Sequence, residues 1–262
     1  MIRIAIAGAA GRMGRALLEE TIGHSNYEVI ALVRPGSPRV QQTETIHSRA
    51  ITFKERLESA CDVLIDFTVG GTQDWVRACV ERRLPMVIGS TGHTGETLDS
   101  IRAASMSIPM FMASNFSPGI HVLMGLLRAV RERLGKDYDI EVVETHHRHK
   151  RDAPSGTAAA IMAELSRPVC EGESDTGIRS TGVREGTSPI KPVAVHSLRM
   201  GDVVGQHEIH YSGCGETLTL RHSAHSRTTF ALGALRAAQW IIAQPPGLYS
   251  MMHVWGGTRE SD

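Results

Sequence analysis

The chain has 262 residues, 41% of them hydrophobic, which is enough to build two modest domains with their own cores. Its 28 Lys and Arg residues balance 28 Asp and Glu residues, so no global positive field would attract nucleic acid or an anionic membrane surface. No apolar run reaches the ~18 residues of a membrane-spanning helix. We therefore expect a soluble two-domain protein that acts on a small molecule.

The cysteines indicate a reducing compartment. They are scattered and form no CxxC pair: Cys61, Cys79, Cys170 and Cys214. The N-terminus begins directly with an apolar strand, whereas a secretory leader has charged, then apolar, then small residues. We expect a cytoplasmic protein.

The first third of the chain alternates short apolar runs with helical segments, which is typical of a parallel sheet built from strand–helix–strand units. Strands are predicted over residues 3–7, 27–33, 62–67, 85–88 and 109–113. Helices are predicted over residues 12–22, 72–83 and 94–106. The pattern predicts an α/β fold with a doubly wound, Rossmann-like parallel sheet.

The remainder of the chain has a different pattern. Helices are predicted over 118–134 and 155–165, and strands over 138–144, 193–200, 207–212 and 216–222. They indicate an α+β domain with an open mixed sheet. The Gly-, Ser- and Thr-rich segment 170–192 is predicted to be a mobile loop, and an amphipathic helix over 227–243 to return to the first domain. The domains would be 1–115 with 226–262, and 116–225.

A glycine-rich turn follows the first predicted strand. The sequence "GAAGRMGR" places Gly8, Gly11 and Gly14 three residues apart, immediately before a helix. Such a turn directs backbone N–H groups and the positive end of the helix dipole at a pyrophosphate. The spacing GxxGxxG departs from the commoner GxGxxG, so a strand–helix turn without a ligand is the alternative.

The end of the second predicted strand bears on which dinucleotide would bind. An acid at this point would bind the ribose 2′-hydroxyl, whereas a basic residue would bind a 2′-phosphate. The sequence has Val33 and Arg34 there, and Arg12 in the glycine turn could add a second positive charge. NADPH is therefore favoured, with NADH possible. The alternative for Arg34 is a solvated surface arginine.

The segment "VETHHRHKRDAPSGT", residues 143–157, concentrates three histidines and a lysine before a predicted helix start. A metal site is not expected, because His146 and His147 point to opposite faces of an extended segment and only His147 and His149 share a side. Histidines without a chemical role are the second alternative.

The third alternative is proton transfer to a small anion. Ser155, Gly156 and Thr157 open a helix whose N–H groups would bind a carboxylate, and Lys150 adds a charge beside it. His146 or His147 would then donate a proton at neutral pH. Beside a nicotinamide cofactor, this chemistry suits reduction of a small anionic substrate.

Seven motifs extend along nearly the whole chain: "GAAGRMGR" at 8–15, "IDFT" at 65–68, "GSTG" at 89–92, "ASNFSPG" at 113–119, "ETHHRHKRDAPSGTA" at 144–158, "RMGDVVGQH" at 199–207 and "SRTTFALGALRAAQW" at 226–240. Together they resemble the 4-hydroxy-tetrahydrodipicolinate reductase (dihydrodipicolinate reductase) family of bacterial lysine and diaminopimelate biosynthesis. The histidine-containing motif is highly specific to that family, whereas many dehydrogenases share the glycine turn.

The resemblance implies that NAD(P)H reduces a cyclic imine dicarboxylate to tetrahydrodipicolinate, with loss of water from the hydroxylated form. It implies His146 as proton donor and acceptor and Lys150 as a second donor. The residues that it places around the substrate carboxylates are His147, Ser155, Gly156, Thr157 and Thr91.

The resemblance also assigns the cofactor site, the assembly and the domain roles. The pyrophosphate would bind Gly8, Ala9, Ala10, Gly11, Arg12 and Met13. The nicotinamide would lie against Gly89, Ser90, Thr91, Ala113, Ser114, Asn115 and Phe116. Residues 1–115 with 226–262 would bind the dinucleotide, and 116–225 would bind substrate and join subunits into a homotetramer through the open sheet.

Two other functions are compatible with these residues. One is another nicotinamide-dependent dehydrogenase that acts on an amino-acid-derived acid. The other is a non-catalytic dinucleotide-binding protein, for which His146 and Lys150 would be dispensable. The second conflicts with a histidine cluster that adjoins an anion-binding helix start.

Overall fold

The computed structural model describes residues 1–167, 178–180 and 193–255. The described residues within Met1–Ser117 and Arg227–Asp262 form one compact unit, and those within Pro118–Ser226 form a second. No helix in these ranges is both long and apolar enough to cross a membrane. Most of the predicted mobile loop, residues 170–192, lies outside the described residues, and residues 178–180 within it form a strand.

The strands are β1 Ile2–Ala7, β2 Tyr27–Leu32, β3 Thr43–Ile46, β4 Arg49–Thr52, β5 Val63–Asp66, β6 Met86–Ile88, β7 Pro109–Met112, β8 Asp139–His146, β9 Ile178–Ser180, β10 Val193–Arg199, β11 Gly205–Ser212, β12 Thr217–Ala224 and β13 Gly247–Tyr249. The helices are α1 Arg12–Gly23, α2 Thr72–Arg82, α3 Gly95–Ser105, α4 Pro118–Leu134, α5 Gly156–Ser166, α6 Thr228–Ile241 and α7 Met251–Val254, with a 3-10 turn at Gly135–Asp137.

The first unit is a parallel sheet with helices on both faces. Its strand order is β13-β7-β6-β5-β1-β2, and its neighbouring strands pair in parallel. Ile4 and Ile6 of β1 pack in one core with residues of α1 and α6, whereas Ala5 and Ala7 face a second core with α2 and α3. This alternation buries both faces of the strand, and the predicted doubly wound sheet is confirmed.

The second unit is an open mixed sheet in the order β12-β11-β8-β10-β9. Strand β10 pairs in parallel with β8 and with β9, whereas β11 pairs antiparallel with β8 and with β12. One face carries Val142, Ile209 and Tyr211, which pack against Leu127 of α4 and Ile161 of α5. We call this the inner face of the second sheet. The predicted α+β architecture is confirmed.

The sequence analysis missed the hairpin β3–β4 and the edge strand β13. The hairpin turns at His47 and Ser48, which both have positive φ angles, 45° and 66°. Such turns usually carry Asn or Gly, so the local sequence lacked the usual signal. Strand β8 also ends at His146, two residues beyond the predicted end, which places that histidine on the strand.

Candidate active site

The glycine turn has the geometry that a pyrophosphate requires. Gly8 has φ +79°, and a Cβ at this position would lie 2.8 Å from the carbonyl oxygen of Phe67. Gly11 is the N-cap of α1 and has no side chain to cap the first-turn N–H groups. The turn therefore presents uncapped backbone at a helix N-terminus, as an anion-binding turn does. These residues fit a nicotinamide dinucleotide.

A cavity of about 860 Å³ adjoins this turn within the first unit. Its walls include Gly8, Ala10 and Gly11, and also Val33 and Arg34 at the end of β2. Several other lining residues were not predicted from the sequence, among them Arg56, Glu58, Thr68, Trp75 and Arg82. Arg56 follows the unpredicted hairpin, so only the hairpin's position could have identified it.

The carboxyl ends of β5 and β6 are joined by the fully buried Asp66. Its Oδ2 accepts hydrogen bonds from Ser90 Oγ at 2.8 Å and Thr72 Oγ1 at 2.7 Å. Its Oδ1 accepts one from the backbone N–H of Thr68 at 2.8 Å. Asp66 therefore fixes the loop after β5 to Ser90, a predicted nicotinamide-site residue that sequence reasoning did not connect to it.

The two predicted nicotinamide segments follow β6 and β7 at the same edge of the sheet. Neither the segment 89–91 nor the segment 113–116 lines the 860 Å³ cavity. Phe116 is 2% exposed, and its ring centroid lies 5.7 Å from that of Phe67. The Phe116 side chain is thus part of the core.

The second unit contains a buried hydrogen-bond network at the carboxyl end of β8. Glu144 Oε2 bonds to His146 Nδ1. Glu144 Oε1 accepts hydrogen bonds from Arg199 Nη2 at 2.8 Å and from the backbone N–H of Ser155 at 3.2 Å. Glu144 and His146 are 0% and 8% exposed. One carboxylate therefore connects β8, β10 and the start of α5.

His207 of β11 completes this cluster. Its ring centroid lies 5.3 Å from that of His146 in an edge-to-face arrangement, and its Nε2 lies 3.3 Å from Ser155 Oγ. Burial, and then the charge of His146, lower the pKa of His207 to about 3. His207 is therefore neutral at physiological pH.

Burial determines the protonation state of His207, whereas hydrogen bonds determine that of Glu144. Burial acts to raise its pKa, but hydrogen bonds from His146 and Arg199 outweigh burial and hold the pKa at about 2, against an ordinary value of 4.5. Glu144 is thus a carboxylate near neutral pH.

The other predicted substrate residues lie at the start of α5 or in the chain segment before it. Ser155 is the N-cap, and its Oγ accepts a hydrogen bond from Ala158 N at 3.1 Å. Gly156 and Thr157 form the first helical positions, where N–H groups have no intrahelical acceptor. Lys150 Nζ lies 2.9 Å from Asp152 Oδ2. His147 is half-buried; its ring centroid lies 6.3 Å from that of His149.

The structure thus groups His146 and Ser155 in one network, with Lys150 close enough to influence the pKa of His207. Thr91 belongs to the first unit. The sequence analysis assigned no role to Arg199 or His207, although both lie in the "RMGDVVGQH" motif.

Ligand atoms of Glu144, His146 and His207 lie within 4.8 Å of one another, near enough to hold a metal ion. Spacing within the segment 143–157 did not indicate this group, because His207 is distant in the chain. However, Glu144 is paired with the guanidinium of Arg199, whose positive charge would oppose a second cation beside the carboxylate. The arrangement favours a hydrogen-bonded network over a metal site.

A doubly wound parallel sheet that presents a glycine turn to a large cavity is the architecture of nicotinamide-dependent oxidoreductases. Family models match residues 2–116 as "Dihydrodipicolinate reductase, N-terminus" and residues 119–255 as "Dihydrodipicolinate reductase, C-terminus". The chain belongs to the dihydrodipicolinate reductase family. This membership confirms the NAD(P)H-dependent oxidoreductase class expected from the sequence.

Curated relatives extend over the whole chain. A 4-hydroxy-tetrahydrodipicolinate reductase of Pseudoalteromonas translucida (strain TAC 125) is 39% identical over 259 residues, which cover 96% of this chain and 97% of the relative. One from Akkermansia muciniphila is 40% identical over 257 residues, covering 98% of each.

Solved structures show the same fold. A dipicolinate-bound dihydrodipicolinate reductase from Paenisporosarcina sp. TG-14 has a TM-score of 0.70 at 23% identity and covers 95% of this chain and 97% of its own. An aspartate semialdehyde dehydrogenase II from Vibrio cholerae has a TM-score of 0.56 at 12% identity, covering 92% and 98%. The fold alone therefore does not identify the substrate.

Proposed function

We propose that this chain reduces 4-hydroxy-tetrahydrodipicolinate to tetrahydrodipicolinate in lysine and diaminopimelate biosynthesis, with NADPH as the favoured reductant. The observation that carries the proposal is His146 held by the buried Glu144 beside the N-terminus of α5. The shared name of the full-length relatives supports the same substrate.

In this reaction a dicarboxylate must be held while a proton is moved. The N-terminus of α5, with Ser155, Gly156 and Thr157, would bind one carboxylate through N–H groups and the helix dipole. Lys150 and His147 would supply further charge and donors. Lys150 would exchange its partner Asp152, 2.9 Å away, for the substrate. Thr91 of the first unit is the remaining proposed substrate residue.

His146 would act as general acid through Nε2, since its Nδ1 bonds to Glu144. Lys150 would be a second proton donor. A bound dinucleotide would supply a hydride to the ring carbon that loses the hydroxyl group. The protein contributes the neighbouring proton and the orientation of the substrate, while the hydroxyl group is lost as water.

The proposed cofactor site combines two parts of the first unit. Residues Gly8–Met13 would bind the pyrophosphate, with Arg12 among them, and the loops 89–91 and 113–116 would bind the nicotinamide. Arg34 lines the cavity at the end of β2, where Val33 stands in the place of an acid. A guanidinium there favours a 2′-phosphate, which supports NADPH over NADH.

We also propose a domain assignment, an assembly and a location. Residues 1–115 with 226–262 would bind the dinucleotide, and 116–225 would bind substrate and associate into a homotetramer through the open sheet. Analytical ultracentrifugation would test the assembly. The unpaired thiols of Cys61, Cys79 and Cys214 support a reducing, cytoplasmic location.

The experiment follows NADPH oxidation by absorbance with the fresh condensation product of pyruvate and aspartate semialdehyde. We expect turnover that depends on this product and is slower with NADH. His146→Asn should lower kcat about 10²- to 10⁴-fold with little change in KM, and Lys150→Ala should lower kcat and raise KM. His149→Asn is the matched control and should retain activity.

Aspartate semialdehyde alone and homoserine serve as alternative substrates. Turnover of either one without turnover of the condensation product would favour a different dehydrogenase. No turnover by protein shown to bind NADPH would favour the non-catalytic alternative.

A further inference from the structure

The strand pairing of the second sheet places Arg199, His146 and His207 around the Glu144 carboxylate. In parallel register, Arg199 of β10 lies opposite His146 of β8. In antiparallel register, His207 of β11 lies opposite Glu144. Cross-strand partners lie on the same face of a sheet, and here it is the inner face. The ordering of His146 therefore depends on residues far apart in the chain.

We propose that Glu144 is the positioning residue for His146: its carboxylate holds Nδ1–H, so that Nε2 is the atom that exchanges the proton with the substrate. This inference rests on the proposed function. In this inference, Arg199 and the N–H of Ser155 orient the Glu144 carboxylate.

The direction of the hydrogen bond follows from charge. Glu144 has a pKa of about 2 and is therefore ionised near neutral pH, when a carboxylate can only accept hydrogen bonds. Arg199 and Ser155 donate to Oε1, the Ser197 hydroxyl also bonds to the carboxylate, and Oε2 bonds to the imidazole. His146 must then carry its hydrogen on Nδ1. When Nε2 releases its proton, this neutral tautomer remains beside the carboxylate that stabilises it.

Gly205 lies beside the Nε2 edge of the His146 ring, away from the Nδ1 edge that bonds to Glu144. A Cβ at position 205 would lie 3.1 Å from Nε2 of His146, which is tighter than ordinary van der Waals contact. Gly205 therefore permits the His146 ring to lie against the start of β11. His207 packs against the same ring edge-to-face and restricts its rotation.

The variant Glu144→Gln makes the proposal testable, because the amide can satisfy its neighbours in only one orientation. Arg199 Nη2 and Ser155 N are both donors, so the amide oxygen must face them and the NH₂ group must face His146 Nδ1. Nδ1 then becomes an acceptor and the neutral ring carries its hydrogen on Nε2. The variant should reverse the tautomer with minimal change in shape.

The first measurement is the ¹⁵N NMR spectrum of histidine-labelled protein at alkaline pH. The His146 signals are assigned by their loss in His146→Asn. We expect the Nδ1–H tautomer in the wild type and the Nε2–H tautomer in Glu144→Gln. The control Glu164→Gln changes another carboxylate of the second unit, paired with Arg167 at 2.9 Å, and should leave the His146 tautomer unchanged.

The second measurement is steady-state kinetics with the same variants. Glu144→Gln should lower kcat at least about 100-fold with KM changed less than about threefold, because the imidazole can no longer release a proton from Nε2. Glu144→Asp, which retains the charge, should recover part of this loss, and Glu164→Gln should keep wild-type kcat.

The tautomer separates this inference from the proposed function. An Nε2–H tautomer in the wild type would refute the inference even if reductase activity is present, and this result needs no variant to fold. Unchanged kcat in Glu144→Gln would also refute it. If the wild type does not turn over the condensation product, the proposed function is wrong. The His146 tautomers of the wild type and of Glu144→Gln still decide whether Glu144 positions His146.

Discussion

Replacing Arg199 by Met should destabilise the protein more than any surface ion-pair change. Arg199 Nη2 donates to Glu144 Oε1 at 2.8 Å and to the Asp152 carbonyl oxygen at 2.5 Å. Removing one partner of a buried ion pair costs about 3 to 5 kcal/mol, since the other charge stays buried. We expect Arg199→Met to lower the free energy of unfolding by about 3 kcal/mol, the lower end of this range. The Arg199 side chain is 19% exposed, and His146 remains beside Glu144 in the variant.

The assay is urea unfolding followed by circular dichroism, in a double-mutant cycle. The variant Glu144→Gln/Arg199→Met contains no unpaired buried carboxylate, and its free energy of unfolding should be only about 1 kcal/mol lower than that of the wild type. Arg128→Met is the control, because Arg128 and Glu132 form an exposed pair, and it should cost less than about 1 kcal/mol. A loss in Arg199→Met no larger than in the control, or a double variant with additive losses, would refute the reasoning.

Three further predictions concern pH, packing and the cofactor. The pKa of Glu144 is about 2 in the folded protein and 4.5 ordinarily. Its ionised form should therefore add roughly 3 kcal/mol to the free energy of unfolding above pH 4.5, and this contribution should be lost as the pH falls toward 2. Acid unfolding of Glu144→Gln should lack this pH-dependent loss. Gly233→Ala places a Cβ 1.9 Å from the Phe116 carbonyl oxygen and should cost about 1 to 3 kcal/mol in urea, whereas Gly125→Ala, with no atom within 4 Å, should not destabilise. Arg34→Gln should raise KM for NADPH about tenfold and leave KM for NADH unchanged; equal effects on both would exclude a 2′-phosphate contact.

Local sequence patterns predicted the long elements well. Alternating apolar segments identified the parallel sheet, since each β-α-β unit carries its own periodicity and turn residues. The hairpin at His47 and Ser48 escaped because its turn has neither Gly nor Asn. Strand β13, three residues long, carries too short a pattern to detect.

The candidate site was predicted only where its residues are contiguous. The segment 143–157 contains His146, Lys150 and the start of α5, so spacing and residue type pointed to proton transfer beside an anion. Arg199 and His207 enter through strand pairing, and register is set by the packing of the whole sheet. A single sequence does not reveal that pairing, so the partners of Glu144 required the structure.

The first unit is assembled from both ends of the chain, which has a consequence for synthesis on the ribosome. Its core needs α6, where Ala234, Ala237 and Ala238 are fully buried against the sheet, and its sheet needs β13 as an edge. Both follow the entire second unit in sequence. The nascent first unit must therefore remain incomplete, with one face of its sheet uncovered by α6, until the second unit and then α6 and β13 have been translated.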